Sequence, residues 1–365
     1  MTTETRGKGS GRRRPAIAAA ALAGAAALVV AGIAACGGSG GSGGSGGAGG
    51  SGGGPAPAAA ITLGSPGIPP VISGLLPYIA QKQGFYQKYG VNVTIKSFST
   101  GTDATRAVAD GQIDAAIMPP AQLMELAAKG VQLVGIQGQE VPDWVVVSTD
   151  SAVTSCAQLK GQGISVDAVG GIRYTALASM LKSCGLTIND VKPVPLPGSN
   201  APQAMIAGQV KEAVLHLNEL IDVQQRLGAG TVSTVMKMSQ TNPGTMYEMY
   251  GVLKSGLAKN RAAFVDLIAA QIATLKWMAD PANLGTVAQL GTVVGDSAAV
   301  MKAAMRQYLA MGFWSTDSAG MPPANVAAMT RAQIAVGNLT PANAPAYAAI
   351  VDQTVYADAA KKVSG

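Results

Sequence analysis

The chain has little of what enzyme chemistry usually draws on. Its 365 residues include one histidine, three cysteines, 4% aromatic and 13% charged side chains. A single His and no Cys-x-x-Cys argue against a zinc site, which needs several nitrogen or sulfur ligands. Beyond the Gly/Ser run near the start, no Gly-x-Ser-x-Gly, His-Glu-x-x-His or phosphate-loop pattern occurs. The formal charge of +6 supplies no basic patch. Much of that surplus is Arg6, Lys8, Arg12, Arg13 and Arg14, and the remainder is nearly balanced, so nucleic acid is not expected as a partner.

What is present begins with an export signal. Arg12 to Arg14 form a basic region, Pro15 to Ala35 is apolar and small, and Ile33-Ala34-Ala35-Cys36 follows. Signal peptides end in small residues, as here. A cysteine just after that site resembles the bacterial lipobox, in which the thiol takes a diacylglycerol. The alternative is an uncleaved anchor helix, since about 20 apolar residues can span a bilayer. Either way the body faces the extracytoplasmic side of the cell membrane. The arginine pair suggests the twin-arginine route, but the usual Phe-Leu is absent. Gly37 to Gly54 is almost only Gly and Ser and cannot offset the entropy of ordering. Its reach is about 25 Å, from the square-root scaling of flexible linkers. Residues 1–35 thus read as signal peptide and 36–58 as a tether.

Cys156 and Cys184 remain. Outside the cell an even pair is expected to be bridged. Closing a loop of about 27 residues would stabilise the body by roughly 3 kcal/mol in the chain-entropy model. From Ala58 on, short apolar runs alternate with helical patterns, which predicts an α/β fold. Strands are expected at Ala60–Leu63, Val91–Phe98, Ala115–Met118, Val131–Ile136 and Val145–Ser148. Helices are expected between them. The rhythm restarts after Ser155 and returns through Val232–Met236 and Met249–Leu253 to an alanine-rich helical tail, expected to wrap one domain. Two lobes, 59–147 with 245–365 and 148–244, would be joined by crossings near Val147–Thr149 and Pro243–Tyr250. A cleft lies between such lobes, beyond the carboxyl ends of the strands.

Gln83-Gly84-Phe85-Tyr86-Gln87-Lys88-Tyr89-Gly90-Val91-Asn92-Val93 resembles the Gly-Phe-Phe segment of ABC-transporter substrate-binding proteins of the nitrate, sulfonate, taurine and thiamine-precursor (NMT1/THI5-like) family. Phe98-Ser99-Thr100-Gly101 and Ala109-Asp110-Gly111-Gln112-Ile113-Asp114-Ala115-Ala116 are similar to its next motifs, and Leu159-Lys160-Gly161, Gly170-Gly171 and Gly185-Leu186 continue the match. The resemblance covers Ala60 to Leu257 in order. It implies the type II periplasmic-binding-protein fold, a small-molecule ligand, an ABC permease partner, no cofactor and a monomer. Locally, Gly84 and Gly111 are expected to be helix ends with positive φ, Phe85 a packing residue and Asp114 a backbone partner.

The resemblance places ligand at loops after strands. The first loop holds Ser65, Gly67 and Ile68 among stiff prolines. The second, Thr100, Gly101 and Thr102, opens a helix whose free N–H groups favour anions; Asp103 there competes with an anion or caps the helix. Pro119 and Gln122 follow. Trp144 stacks on a ring or belongs to the core. In the second lobe Gly171 allows close approach, and Arg173 clamps an acidic group or lies on a solvated face. Tyr174 is a second contact. His216 and Asn218 follow a strand end, where a lone His is either structural or a contact. The function implied is capture of a small organic solute for an ABC importer, not catalysis. The rivals are a thiamine-pyrimidine-synthase-like enzyme, which uses a histidine with a cysteine-rich patch, and a sensory lipoprotein.

Overall fold

The computed structural model describes residues 59–139, 141–196, 200–316 and 318–365. Cys36, the export signal and the tether lie outside the described residues. The first half of the chain forms β1 (Ala59–Pro66), α1 (Leu75–Lys82), α2 (Phe85–Lys88), β2 (Val91–Phe98), α3 (Gly101–Ala109), β3 (Ala115–Met118), α4 (Pro120–Ala128) and β4 (Leu133–Gly138). There follow β5 (Val145–Ser148), β6 (Gly163–Val166), α5 (Ile172–Leu181), β7 (Lys192–Pro195), α6 (Asn200–Ile206), β8 (Glu212–Leu215), α7 (Leu217–Leu227) and β9 (Ser233–Lys237). A short α8 (Met238–Thr241) leads to β10 (Met249–Leu253), and the tail is α9 (Lys254–Ala279), α10 (Leu284–Gly291), α11 (Ala298–Ala310), α12 (Pro323–Ala335), α13 (Tyr347–Ile350) and α14 (Thr354–Ser364).

The strands make two five-stranded sheets, ordered β2-β1-β3-β10-β4 and β7-β6-β8-β5-β9. β1 is parallel to β2 and β3, and β6 to β7 and β8. Each sheet also takes a strand that arrives from the other: β5 is antiparallel to β8, and β10 is antiparallel to β3 and β4. The direction follows from topology. A chain leaving one sheet at its carboxyl edge enters the other from the shared side and runs away from it. The crossings are therefore residues 139–144 and 238–248. Val145–Ser148 belongs to the second sheet, earlier than the crossing expected near Val147–Thr149. An apolar run of four reads the same in either sheet, so its pattern does not show which one it joins.

Buried apolar runs make both sheets. Ile61, Leu63, Ile117, Tyr250 and Phe264 are inaccessible to solvent in the first core. Gly251 lets the Met118 side chain lie close against β10, since a Cβ there would push its thioether aside. Gly84 and Gly111 have φ of 73° and 68°, and both sit at helix ends as the sequence predicts.

The tail does not serve one lobe. α9 packs on α1, α2 and β10, whereas α11 packs on α7 of the second sheet's layer. α11 buries Val300, Met301, Ala304, Met305 and Tyr308 on one stripe, and burial of a Val or Met side chain stabilises by about 1.5–3 kcal/mol. Ile72, Leu75 and Ile79 near α1, Trp144 of the first crossing, Ile164 of the second sheet, and Leu275, Met301 and Phe313 of the tail share one core. The tail also covers the β4 edge, where Gly135 bridges Val351 and its carbonyl accepts Asp352 N–H at 2.9 Å.

Candidate functional site

The parallel strands of both sheets end at the two crossings, and the chemistry gathers there. At the second-sheet end the Trp144 ring lies 3.8 Å from His216, centre to centre, and 5.5 Å from Tyr247. Phe313 continues the group at 5.2 Å from Tyr247 and 4.8 Å from Tyr308. Aromatic groups at these separations attract beyond their area burial. Trp144 is buried in this stack, which the sequence left open between ring contact and core.

Asp143 anchors the group from the crossing. Its carboxylate accepts from His216 Nδ1 at 3.0 Å, from Leu217 N–H at 3.1 Å and from the Tyr308 hydroxyl. Burial works to raise the carboxyl pKa, but the His216 charge and these hydrogen bonds outweigh it and hold the group below its ordinary value. Asn218 Oδ1 lies 2.8 Å from the same Tyr308 hydroxyl. The Tyr247 hydroxyl stands 3.4 Å from His216 Nε2.

Arg173 is not on a solvated face. It is 3% exposed, and it donates to both Glu219 oxygens at 2.8 Å and to the Val214 carbonyl at 2.9 Å. Its cation sits 5.2 Å over the Trp144 ring. Burial opposes its charge, and Glu219 more than restores it, so its pKa is raised. Glu219 also accepts His216 N–H at 2.8 Å, closing the N-terminus of α7. An acidic ligand at Arg173 would have to displace Glu219. The start of α5 is closed in the same way. Asp167 accepts Ile172 N–H at 2.9 Å and Tyr174 N–H at 3.4 Å. A Cβ on Gly171 would lie 2.5 Å from both Asp167 oxygens, so glycine is needed there to admit the carboxylate.

At the first-sheet end, Thr100 caps α3, accepting Asp103 N–H at 3.1 Å while its hydroxyl donates to Asp103 Oδ2 at 2.8 Å. Asp103 is thus the reciprocal partner of the cap. Gln122 donates to Thr102 Oγ1, tying α4 to α3. A Cβ on Gly101 would stand 3.0 Å from Pro119 and 3.7 Å from Glu248 Oε1, so the α3 N-terminus already faces a carboxyl. Ser65 Oγ, Ser73 Oγ, both Gln139 amide atoms, Gln122 Oε1 and Glu248 Oε2 are buried without a hydrogen-bond partner. Burial pushes the Glu248 carboxyl up to about 8; the nearby Ser73 hydroxyl offsets this in part, and Asp143 adds to it.

A cavity of about 220 Å³ opens at the start of α7. Ile68, His216, Asn218, Glu219, Asp222 and Asp296 are among its walls. Asn218 Nδ2 donates to Asp296 Oδ2 at 2.6 Å, and burial raises the Asp296 carboxyl to about 6. Ile68, 66% exposed, stands at the rim, and Gly67 holds φ of 87° before it. Tyr174 packs half-buried on the second core.

Of the residues singled out from sequence, Ile68, His216 and Asn218 line the cavity. Ser65, Thr100, Gly101, Thr102, Pro119 and Gln122 gather at the first-sheet edge. Trp144, Arg173 and Gly171 lie outside the cavity walls and have partners of their own. The sequence reading missed Ser73, Gln139, Asp143, Glu219, Tyr247, Glu248, Asp296, Tyr308 and Phe313 as site residues. The adjacent Phe313-Trp314 in an aromatic-poor chain was the one available signal for the tail's part. Cys156 and Cys184 are bridged, with Cα atoms 6.2 Å apart. Among the described residues, no group of three or more His, Cys, Asp or Glu side chains could hold a metal ion.

The NMT1/THI5-like family model matches residues 73–283. A Haemophilus influenzae protein named for thiamine biosynthesis is 30% identical over 138 residues, which are 37% of this chain and 43% of that protein. The chain therefore spans less than half the length of that relative. The nitrate-binding protein NrtA of Synechocystis PCC 6803 superposes with TM-score 0.64 at 14% identity, over 83% of this chain and 89% of that one. The alkanesulfonate-binding protein SsuA of Xanthomonas axonopodis pv. citri, bound to MOPS, gives TM-score 0.58 at 18% identity over 83% and 98%. At such identities these structures establish the fold, which is that of the periplasmic binding proteins.

Proposed function

The chain belongs to the NMT1/THI5-like family, and from that premise we propose that it is a solute-binding lipoprotein serving an ABC importer. It captures a small organic solute between its two sheets. Cys36 holds it by a lipid on the extracytoplasmic face of the cell membrane, and the Gly/Ser tether lets the body reach its permease as a monomer. The observation that carries the reading is the set of buried, unpartnered polar atoms at the carboxyl edge of the first sheet. Native proteins rarely leave such groups unpaired, and a ligand between the lobes would pair them. The two sheets, with the helices packed on each, would close about the crossings and present a surface for the permease to read.

Catalysis is not part of the proposal. His216 is held by Asp143 and Tyr247, and Cys156 and Cys184 are joined to each other, so the histidine-and-cysteine patch of the rival enzyme is not assembled. Thermal-shift and native mass-spectrometry screens of the purified protein against sulfonates, pyrimidines, flavins and amines test the reading. A ligand at 100 times its Kd stabilises by about 2.7 kcal/mol. Trp144→Ala should abolish the shift. If no solute in the panel shifts the midpoint of a folded sample, the binding function fails.

A further inference from the structure

The tail reaches the cavity at the turn before α11. Val294 to Asp296 wall it together with Ile68 of the first lobe and Asn218 of the second. A Cβ on Gly295 would stand 3.5 Å from the Pro69 ring, so the turn lies against the loop after β1.

α11 is held by different chemistry on its two sides. Towards α7 the contacts are directional. Asn218 Nδ2 donates to Asp296 Oδ2 at 2.6 Å, and Asn218 N–H donates to the Tyr308 hydroxyl at 3.3 Å. That hydroxyl donates in turn to Asp143 on the first crossing. Asp143, Asn218 and Tyr308 are all buried, so pulling α11 from α7 would leave desolvated polar groups unpaired. Towards α10 the contacts are apolar. A Cβ on Gly291 would stand 2.8 Å from the Met301 methyl, and Val287 and Ala288 complete the buried face of α10. A methionine changes shape readily, so one helix can slide on the other, and such shear is an ordinary mode of lobe closure. α10 itself packs on α1 and α9 of the first lobe. Glycines in the left-handed region stand at the two ends of α11, Gly295 at φ 101° and Gly312 at φ 68°.

We infer that α11 is a strap that travels with the second lobe. Asn218 and Asp143 carry it, it slides over α10, and it flexes at Gly295 and Gly312. Opening of the lobes parts the Val294–Asp296 turn from the loop at Ile68 and unroofs the cavity, and closing brings the two back together. A helix that follows the second crossing in sequence thus moves with the sheet that precedes it. No solute is needed for this motion, so it goes beyond the solute-binding reading.

Pulsed electron-spin distance measurements test the strap, with no solute present. In a Cys36→Ser background, nitroxides are placed in pairs at Thr94→Cys on β2, Gln225→Cys on α7 and Lys302→Cys on α11, all exposed positions. The pair on α7 and α11 should give one narrow distribution. The pairs that join β2 to α7 and β2 to α11 should both spread further, by more than about 2 Å, the scale of lobe rearrangements. Tyr308→Phe with Asn218→Ala removes the bonds from α11 to α7 and should widen the α7–α11 distribution to match. If that variant shows no cooperative melt, the three distributions without it decide alone. A narrow β2–α11 distribution beside a wide α7–α11 one assigns α11 to the first lobe and overturns the inference. Three narrow distributions or three wide ones overturn it too, as does an α7–α11 distribution that a folded Tyr308→Phe, Asn218→Ala variant leaves unchanged. Each of these results leaves the solute-binding function standing.

Discussion

Replacing Arg173 by Met isolates the chief ion pair inside the second lobe. The guanidinium makes two 2.8 Å bonds to Glu219 and one of 2.9 Å to the Val214 carbonyl. Both side chains are nearly inaccessible, at 3% and 4%. The substitution leaves Glu219 buried with its His216 N–H donor but no counter-charge. Breaking a buried pair from one side costs about 3–5 kcal/mol, whereas replacing both partners with uncharged groups is often near neutral. At about 2–4 °C per kcal/mol for a domain of this size, the melting midpoint should fall by roughly 6–20 °C. Glu219→Gln in the same chain keeps the α7 cap acceptor and removes the orphaned charge, so the double variant should recover much of the loss. Circular-dichroism melts and urea titrations of the four proteins in the cycle measure this. If Arg173→Met lies within about 1 kcal/mol of wild type, the pair behaves as a surface pair. The argument that the cleft's cation is locked in place would then fail.

Three other outcomes are expected. Glu248 has its folded pKa raised to about 8 from an ordinary 4.5, so the unfolded chain loses its proton first as pH rises. Its contribution is therefore intact below pH 4.5 and lost by pH 8, and Glu248→Gln should flatten the fall in urea stability over that window; parallel curves refute the assignment. Replacing both Cys156 and Cys184 with Ser opens a loop of separation 28 and should cost about 3 kcal/mol, with no change in ligand affinity. An unchanged denaturation midpoint would mean the bridge does not form in the protein. Cys36→Ser should move the protein from the membrane to the soluble fraction, and continued firm anchoring would refute the lipobox reading.

The strands were legible because they are local: apolar runs such as Ala115–Met118 announce buried strands from neighbours within a few residues. The start of α3 was legible only approximately, since its cap, expected at Thr102 or Asp103, is Thr100, with Asp103 as its partner. Loops at strand ends were legible as site candidates for the same reason, and Ile68, His216 and Asn218 do line the cavity. Arg173 shows the limit. Its position before a helix body is readable, but its partner Glu219 lies 46 residues away and decides whether the cation is free.

By itself the sequence determined the alternation of strands and helices, the two α/β units and the membership of the binding-protein class. Those follow from periodicity, glycine placement and ordered motifs, which are properties of contiguous residues. Only the tertiary structure decided which polar groups are paired. It brought Asp143, Asp167, Glu219 and Glu248 to the strand ends and placed Tyr308 and Phe313 from the tail behind them. Side-chain burial and pairing depend on contacts between residues far apart in the sequence, and those contacts decide which charged groups already have partners.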